Sequence, residues 1–244
     1  MNRLILFLIG IVLIGIAGFA LVWFGVGREL QPGAVRALMN LRDTKAEVLL
    51  EESHESLRTR WSAEDLNAYW AWWTERLGDF FEITARRGVS SSTNNGEVRK
   101  GITLEVGFMK RKALVRYEFL ALEKGPILMH LRIAELDEGT GAEDDRDELV
   151  ERVRALLAYY DASDWVGLYA AQSFELQLAQ PLGKLRTALS KLRAMTGPVK
   201  TLGPADTGTG PEKRVTQTFA VELEKMQGRD TVSQMFDDGR WHVM

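Results

Sequence analysis

"SAEDLNAYWAWWTERLG", residues 62–78, holds three of the chain's seven tryptophans and a tyrosine within the five positions 69–73. Ser62 with an acid three residues later, Asp65, fits a capping box, in which the serine oxygen accepts a backbone N–H and the acid answers it. The pattern predicts a helix from there to about Leu77, ended by Gly78. On a helix of about 3.6 residues per turn, Leu66, Tyr69, Trp70, Trp73 and Leu77 share one face and read as core. Removing one such ring costs about 3–5 kcal/mol. Trp72 does not join them: it lies roughly 120° from Leu66, beside Asp65, Ala68 and Arg76. Arg76 is its i+4 neighbour and can stack on the indole. That pairing, or packing against the preceding helix, competes with a contact to the other half of the chain or to a partner, because tryptophan is enriched in interfaces. Trp72 and Arg76 are therefore the candidate interaction residues.

Outward from this helix the pattern changes twice. Residues 33–60 read as helical, with Val48, Leu49 and Leu57 among acids and bases; residues 97–108, 112–121 and 127–133 read as strands. The last alternates Ile127, Met129, Leu131 and Ile133 against Leu128, His130 and Arg132, which predicts a sheet with one buried face and one wetter face. LDEGTGAEDDRDE, starting at Leu136, is acidic and has no apolar period. Residues 136–147 thus read as a linker between a first α+β domain at 33–135 and a second at 148–244. Beyond it Leu149, Val153, Leu156, Leu157 and Tyr160 form one helical stripe, and Asp161-Ala-Ser-Asp164 ends that helix and caps another before Trp165. A third helix carries Leu182, Leu185, Leu189 and Leu192. GPADTGTGPEK, 203–213, reads as a loop, followed by strands at about 214–224, 229–236 and 240–243, with turns at Gly228 and at 237–239.

Each half runs helices and then three antiparallel strands. A shift of 119 positions, the distance from Gly78 to Gly197, lays one half on the other. Leu66 then falls on Leu185, Trp70 on Leu189, Trp73 on Leu192, Phe80 on Val199 and Ile83 on Leu202, a pattern expected of tandem copies of one fold. W-S-A-E-D-L at 61–66 and W-x-x-x-L-G-D-F at 73–80 resemble the small bacterial extracytoplasmic domains of unknown function in the nuclear-transport-factor-2-like, cystatin-like superfamily. D-A-S-D-W at 161–165, K-L-R-A-M-T-G-P-V-K at 191–200 and D-D-G-R-W-H-V at 237–243 are similar to such domains again. The resemblance covers most of residues 45–244. It implies an α+β chain of two tandem cystatin-like, cone-shaped domains, each with helices on a curved antiparallel sheet, often used for protein interaction or to hold a pocket. Superfamily enzymes of the ketosteroid isomerase type use an acid and a tyrosine deep in the cone. Neither is placed by motif here, so no catalytic residue is carried over.

From Leu4 to Val26 the chain has 23 residues without a charge. As a helix this run is long enough to cross a hydrocarbon core of about 30 Å. Trp23 and Phe24 sit where an aromatic belt meets the far headgroups, and Arg3 lies on the near, cytoplasmic side. A cleavable signal peptide with Gly18 and Ala20 before the cut is the competing reading, but the apolar run continues six residues past Ala20. Residues 1–28 are thus expected to be a signal-anchor in a bacterial inner membrane, with the remainder outside the cytoplasm.

Several chemistries are disfavoured. With a net charge of −3 and no basic field, nucleic acid is not an expected partner. The chain has no cysteine, which removes disulfides and thiolate chemistry. His54, His130 and His242 lack metal-ligand spacing, so neither metal nor cofactor is expected. Asp206-Thr207-Gly208 has the letters of an aspartic protease, but its Gly- and Pro-rich flanks read as a turn. His130 and His242 stand opposite the apolar alternation of their strands and, with Tyr117, are the candidate pocket-lining residues. The expected function is a membrane-anchored, non-enzymatic interaction or accessory protein. A carrier or sensor of a small apolar ligand is the alternative, and an isomerase-like enzyme the third reading. If residues 4–26 span the bilayer, an alkaline wash of membranes leaves the full-length chain in the pellet; its release would refute the anchor.

Overall fold

The computed structural model describes residues 25–136, 146–172, 174–209, 214–225, 227–237 and 240–243. The predicted membrane segment, with Arg3, Trp23 and Phe24, falls outside these residues apart from its last two positions. Among the described residues no helix is long and apolar enough to cross a membrane.

A helix at 25–42, α1, opens the description. Its Leu30, Ala34, Leu38 and Leu41 recur at helical spacing and are fully buried. Two short helices follow, α2 (Ala46–Glu51) and α3 (Glu55–Arg58), then the 15-residue α4 (Ala63–Leu77). Its ends are as expected: Ser62 Oγ accepts the Asp65 N–H at 3.0 Å, and Gly78 at φ +84° stops it. The reciprocal half of the capping box is replaced, because the Asp65 carboxylate goes instead to Arg186, at 2.6 Å. Leu66, Tyr69, Trp70, Trp73 and Leu77 are all buried, as their shared face predicts.

Four antiparallel strands in the order β1-β2-β3-β4 complete the first half: β1 (Phe80–Asn94), β2 (Glu97–Phe108), β3 (Lys112–Leu122) and β4 (Gly125–Glu135). Three were expected. β1 escapes a periodicity reading because it is an edge strand with three register shifts, carrying Arg86, Arg87 and the serines 90–92 in place of an apolar alternation.

The second half holds α5 (Arg146–Ala162), α6 (Trp165–Ala170), α7 (Phe174–Ala179) and α8 (Leu182–Thr196). Its sheet runs β5-β6-β7-β8, from Val199–Thr209, Arg214–Leu223, Gln227–Asp237 and Arg240–Val243. β5 corrects the described part of the loop expected at 203–213: a register shift between Leu202 and Ala205 absorbs Gly203 and Pro204, and pairing resumes with Ala205 opposite Phe219 and Asp206 opposite Thr218. The Asp-Thr-Gly triplet therefore lies on a strand, facing a threonine position across the ladder and not a second carboxylate. Gly228 is likewise inside β7, opposite Val221.

The expected wet face is also corrected at β4. His130 and Arg132 are 1% and 2% exposed although they oppose the apolar alternation, and Gln172 O, just after α6, accepts from Arg132 at 3.3 Å. The open edge of β4 is closed from within the chain. The Tyr69 hydroxyl accepts the Ile133 N–H at 3.1 Å and donates to the Ile133 carbonyl at 3.3 Å, while His54 N–H donates to Leu128 O at 2.8 Å. Leu182 and Leu185 of α8 and Tyr169 of α6 join the same buried cluster as α1, α4 and the first sheet. Tyr169 stands edge-on to Trp61 and Tyr69, with ring centres 5.4 and 6.1 Å away.

Candidate interaction surface

The candidate residues are dispersed by the fold. Trp72 is half-buried against the second half of the chain: its indole N–H donates to Asp164 Oδ2 at 2.9 Å and its ring meets Tyr159 edge-on at 6.0 Å. Asp164 Oδ1 simultaneously accepts the Gly167 N–H at 2.9 Å, capping α6. Arg76 does stack on Trp72, 5.7 Å from the ring, and reaches Glu135 at 3.2 Å. Tyr117 is fully buried on the helix-covered face of β3, in register with Leu131, whereas His130 pairs with Glu118 on the opposite face. They do not line a common cavity. His242 stands on β8 opposite Met235, and its side chain lies outside the described residues.

Burial keeps His130 from titrating near neutrality. The His130 imidazole is driven down to about 3, first by desolvation and then by the charges of Arg60, Arg132 and Arg116. Burial pushes the Tyr117 hydroxyl well above its ordinary range.

A different surface emerges at the end of the first sheet, where α4 meets the turn between β2 and β3. Gly78 makes the approach possible. A Cβ there would lie 3.0 Å from Met109 Cβ, and its φ of +84° favours glycine. The turn is then held by four bonds: Met109 N–H to Asp79 O at 2.9 Å, Lys110 N–H to Leu77 O at 2.8 Å, Phe108 N–H to Arg111 O at 2.9 Å, and Lys110 Nζ to Glu75 O at 2.9 Å. The lysine supplies a cation to the carbonyl end of α4. The turn is thus clamped, yet Met109 is 73% exposed and neighbouring Phe81 is 59% exposed. Phe81, Met109 and Lys110–Lys112 line an open groove of about 580 Å³ with Thr84 at its side.

Two buried carboxylates anchor its basic rim. Glu135 accepts from both Arg76 and Arg111. Glu105, 2% exposed, takes Lys112 at 2.9 Å, the Thr84 hydroxyl at 2.8 Å and Arg87. The hydrogen bond from Lys112, then that from Thr84, with Arg87 adding, hold the Glu105 carboxyl at about 2 against the opposing effect of burial. Periodicity did not point to this surface. Its only signal in the sequence is the apolar-basic run Phe108-Met-Lys-Arg-Lys112.

No protein-family model matches the chain, and no curated protein sequence matches it. Among solved structures, a cystatin-like protein from Ruminococcus gnavus aligns with 74% of this chain and 69% of its own, at 8% identity and a TM-score of 0.26.

Because Glu105 has a lowered pKa in the fold, its stabilisation is complete above the unfolded carboxyl value, near 4.5, and fades as pH falls toward 2. Denaturation of wild type and Glu105→Gln should accordingly differ by about 1–3 kcal/mol at pH 7, with the gap closing below about pH 4. A gap independent of pH would contradict the ion cluster.

Proposed function

We propose that this chain is a non-enzymatic interaction protein of the bacterial envelope. In this reading one N-terminal helix anchors it in the inner membrane, and two tandem cystatin-like units stand outside the cytoplasm, joined to a protein partner or membrane complex. The observation that carries the proposal is the filled interior of the first sheet. Trp61, Tyr69, Trp70, Trp73, Tyr117 and Phe119 are each at most 5% exposed, so the space an enzyme of this shape would use for substrate is occupied by the chain's own rings.

Support for the tandem arrangement comes from hydrogen bonds beyond the six residue matches. In the second half, Glu224 N–H bonds Pro198 O at 2.9 Å, Lys225 N–H bonds Thr196 O at 3.0 Å and Lys225 Nζ bonds Ala194 O at 2.9 Å. These acceptors are the counterparts of Asp79, Leu77 and Glu75 under the same shift of 119. Both helices also end in a positive-φ glycine, Gly78 and Gly197.

The carrier reading draws on one observation, the Tyr117 hydroxyl, which is buried without a hydrogen-bond partner among the described residues. Crosslinking of intact membranes followed by purification of the full-length chain and mass spectrometry separates the two. An interaction protein comes out in a discrete protein assembly and without a bound apolar molecule. A monomeric chain bringing an apolar ligand, lost in Tyr117→Phe, would overturn the proposal in favour of the carrier.

A further inference from the structure

We infer that the outward face of α8 docks on α2 of a second copy of the chain, in the way that α4 docks on α6 within one copy. The inference rests on the interaction reading above and names another copy as the partner.

Its first support is how closely the two halves repeat. Under the shift of 119, α2 (Ala46–Glu51) falls on α6 (Trp165–Ala170) and α4 (Ala63–Leu77) on α8 (Leu182–Thr196), with both ends of each pair in register. The turn before α2 and α6 repeats as well. Thr44 and Ser163 take φ of +56° and +57°, and their N–H groups donate to Leu41 O and Tyr160 O, each at 3.1 Å. Helices that coincide in this way carry equivalent faces.

The second is what the repeat leaves open. α6 packs on α5 and α8 of its own half and also on α4 of the first. Asp65, Ala68, Tyr69, Trp72 and Trp73 of α4 are each buried or half-buried, whereas their counterparts on α8, Lys184, Thr187, Ala188, Lys191 and Leu192, are all exposed. The receiving side differs in the same sense. Val166, Gly167 and Ala170 of α6 are buried or half-buried, and their counterparts on α2, Glu47, Val48 and Glu51, are exposed. Val48, Leu192 and, one turn beyond Lys191, Met195 are 41%, 45% and 66% exposed, so both faces keep apolar side chains that the internal contact does not cover. Because the face offered and the face that receives it are different, two copies joined through them meet head to tail.

The third is charge. α8 carries four bases and no acid. Arg186 is held by Asp65, and Arg193 by the carbonyls of Tyr160 and Asp161, while Lys184 and Lys191 form no ion pair among the described residues. From Asp43 to Glu52 the chain has four acids and one base. Asp43 takes Arg42 and Lys45, and Glu52 takes Arg36, while Glu47 and Glu51 form no ion pair among the described residues. Two free ammonium groups on one face thus complement two free carboxylates on the other. The equivalent register also sets Lys191 against Lys45, in the places of Trp72 and Asp164, and Asp43, 3.7 Å from Lys45, offsets that meeting.

The chain has no cysteine, so one reactive pair can be placed cleanly: Lys191→Cys on α8 and Lys45→Cys on α2. Intact membranes holding the full-length double variant are treated with a short bis-maleimide. Head-to-tail docking predicts a ladder of dimers, trimers and larger species, while either single variant stays monomeric. Adding Glu47→Lys and Glu51→Lys to the double variant lowers the ladder about threefold or more. Dimers from either single variant reveal a two-fold contact and overturn the inference, as does a ladder that the charge reversal leaves unchanged. Absence of a ladder from a chain still recovered in an assembly with other proteins overturns this inference and leaves the interaction reading standing. Absence of a ladder from a monomeric chain that brings an apolar ligand overturns both.

Discussion

An unpaired strand edge buried inside a protein must find partners for its N–H and C=O groups, and β4 meets that requirement through a side chain of α4. The Tyr69 hydroxyl serves both the N–H and the C=O of Ile133. Once that bond is made, the position of α4 relative to the first sheet is set, and much else follows from it. Trp70 is brought against Phe108, Trp73 packs beside Tyr69, and the outer side of the helix, with Asp65 and Trp72, is turned toward α6 and α8. The acidic stretch between the halves thus joins parts that share a helix.

The same placement produces the exposed surface at the strand ends. α4 stops at Gly78 where the β2–β3 turn arrives, and Leu77 and Glu75 offer their carbonyls to Lys110. The last turn of a helix needs partners for its carbonyls, and a lysine on the neighbouring turn supplies one in each half. What differs between the halves is the order of that turn: Met109 precedes and Arg111 follows the lysine in one, whereas Glu224 precedes and Met226 follows it in the other. Shared backbone bonding with unlike exposed side chains separates what the fold requires from what a surface is used for.

Helix α4 was legible because its cap, its apolar face and its terminating glycine are all local signals. Trp72 was legible as an outlier to that face, and the ring of Arg76 and Asp164 around it shows why: it belongs to a second contact. β1 and β5 were not legible. An edge strand with bulges has no fixed period, and Gly203-Pro204 resemble loop chemistry although pairing resumes one residue later. The burial of Arg132 was also out of reach, since its guanidinium donates to Gln172 O, 40 residues further on. The exposed apolar turn carried only the run from Phe108 to Lys112, which by pattern alone reads as the end of a strand.

That α4 joins the two halves is tested most directly by a double-mutant cycle at its outward contact. Trp72→Phe keeps a ring but removes the indole donor, and Asp164→Asn keeps a cap for α6 but removes the charge. If the indole-carboxylate bond couples the halves, equilibrium denaturation of the full chain in detergent gives an interaction energy of about 1–2 kcal/mol between the two substitutions. Effects that add to within about 0.4 kcal/mol would show that the Trp72–Asp164 bond does not couple α4 to the second half, and would contradict the part given to it here.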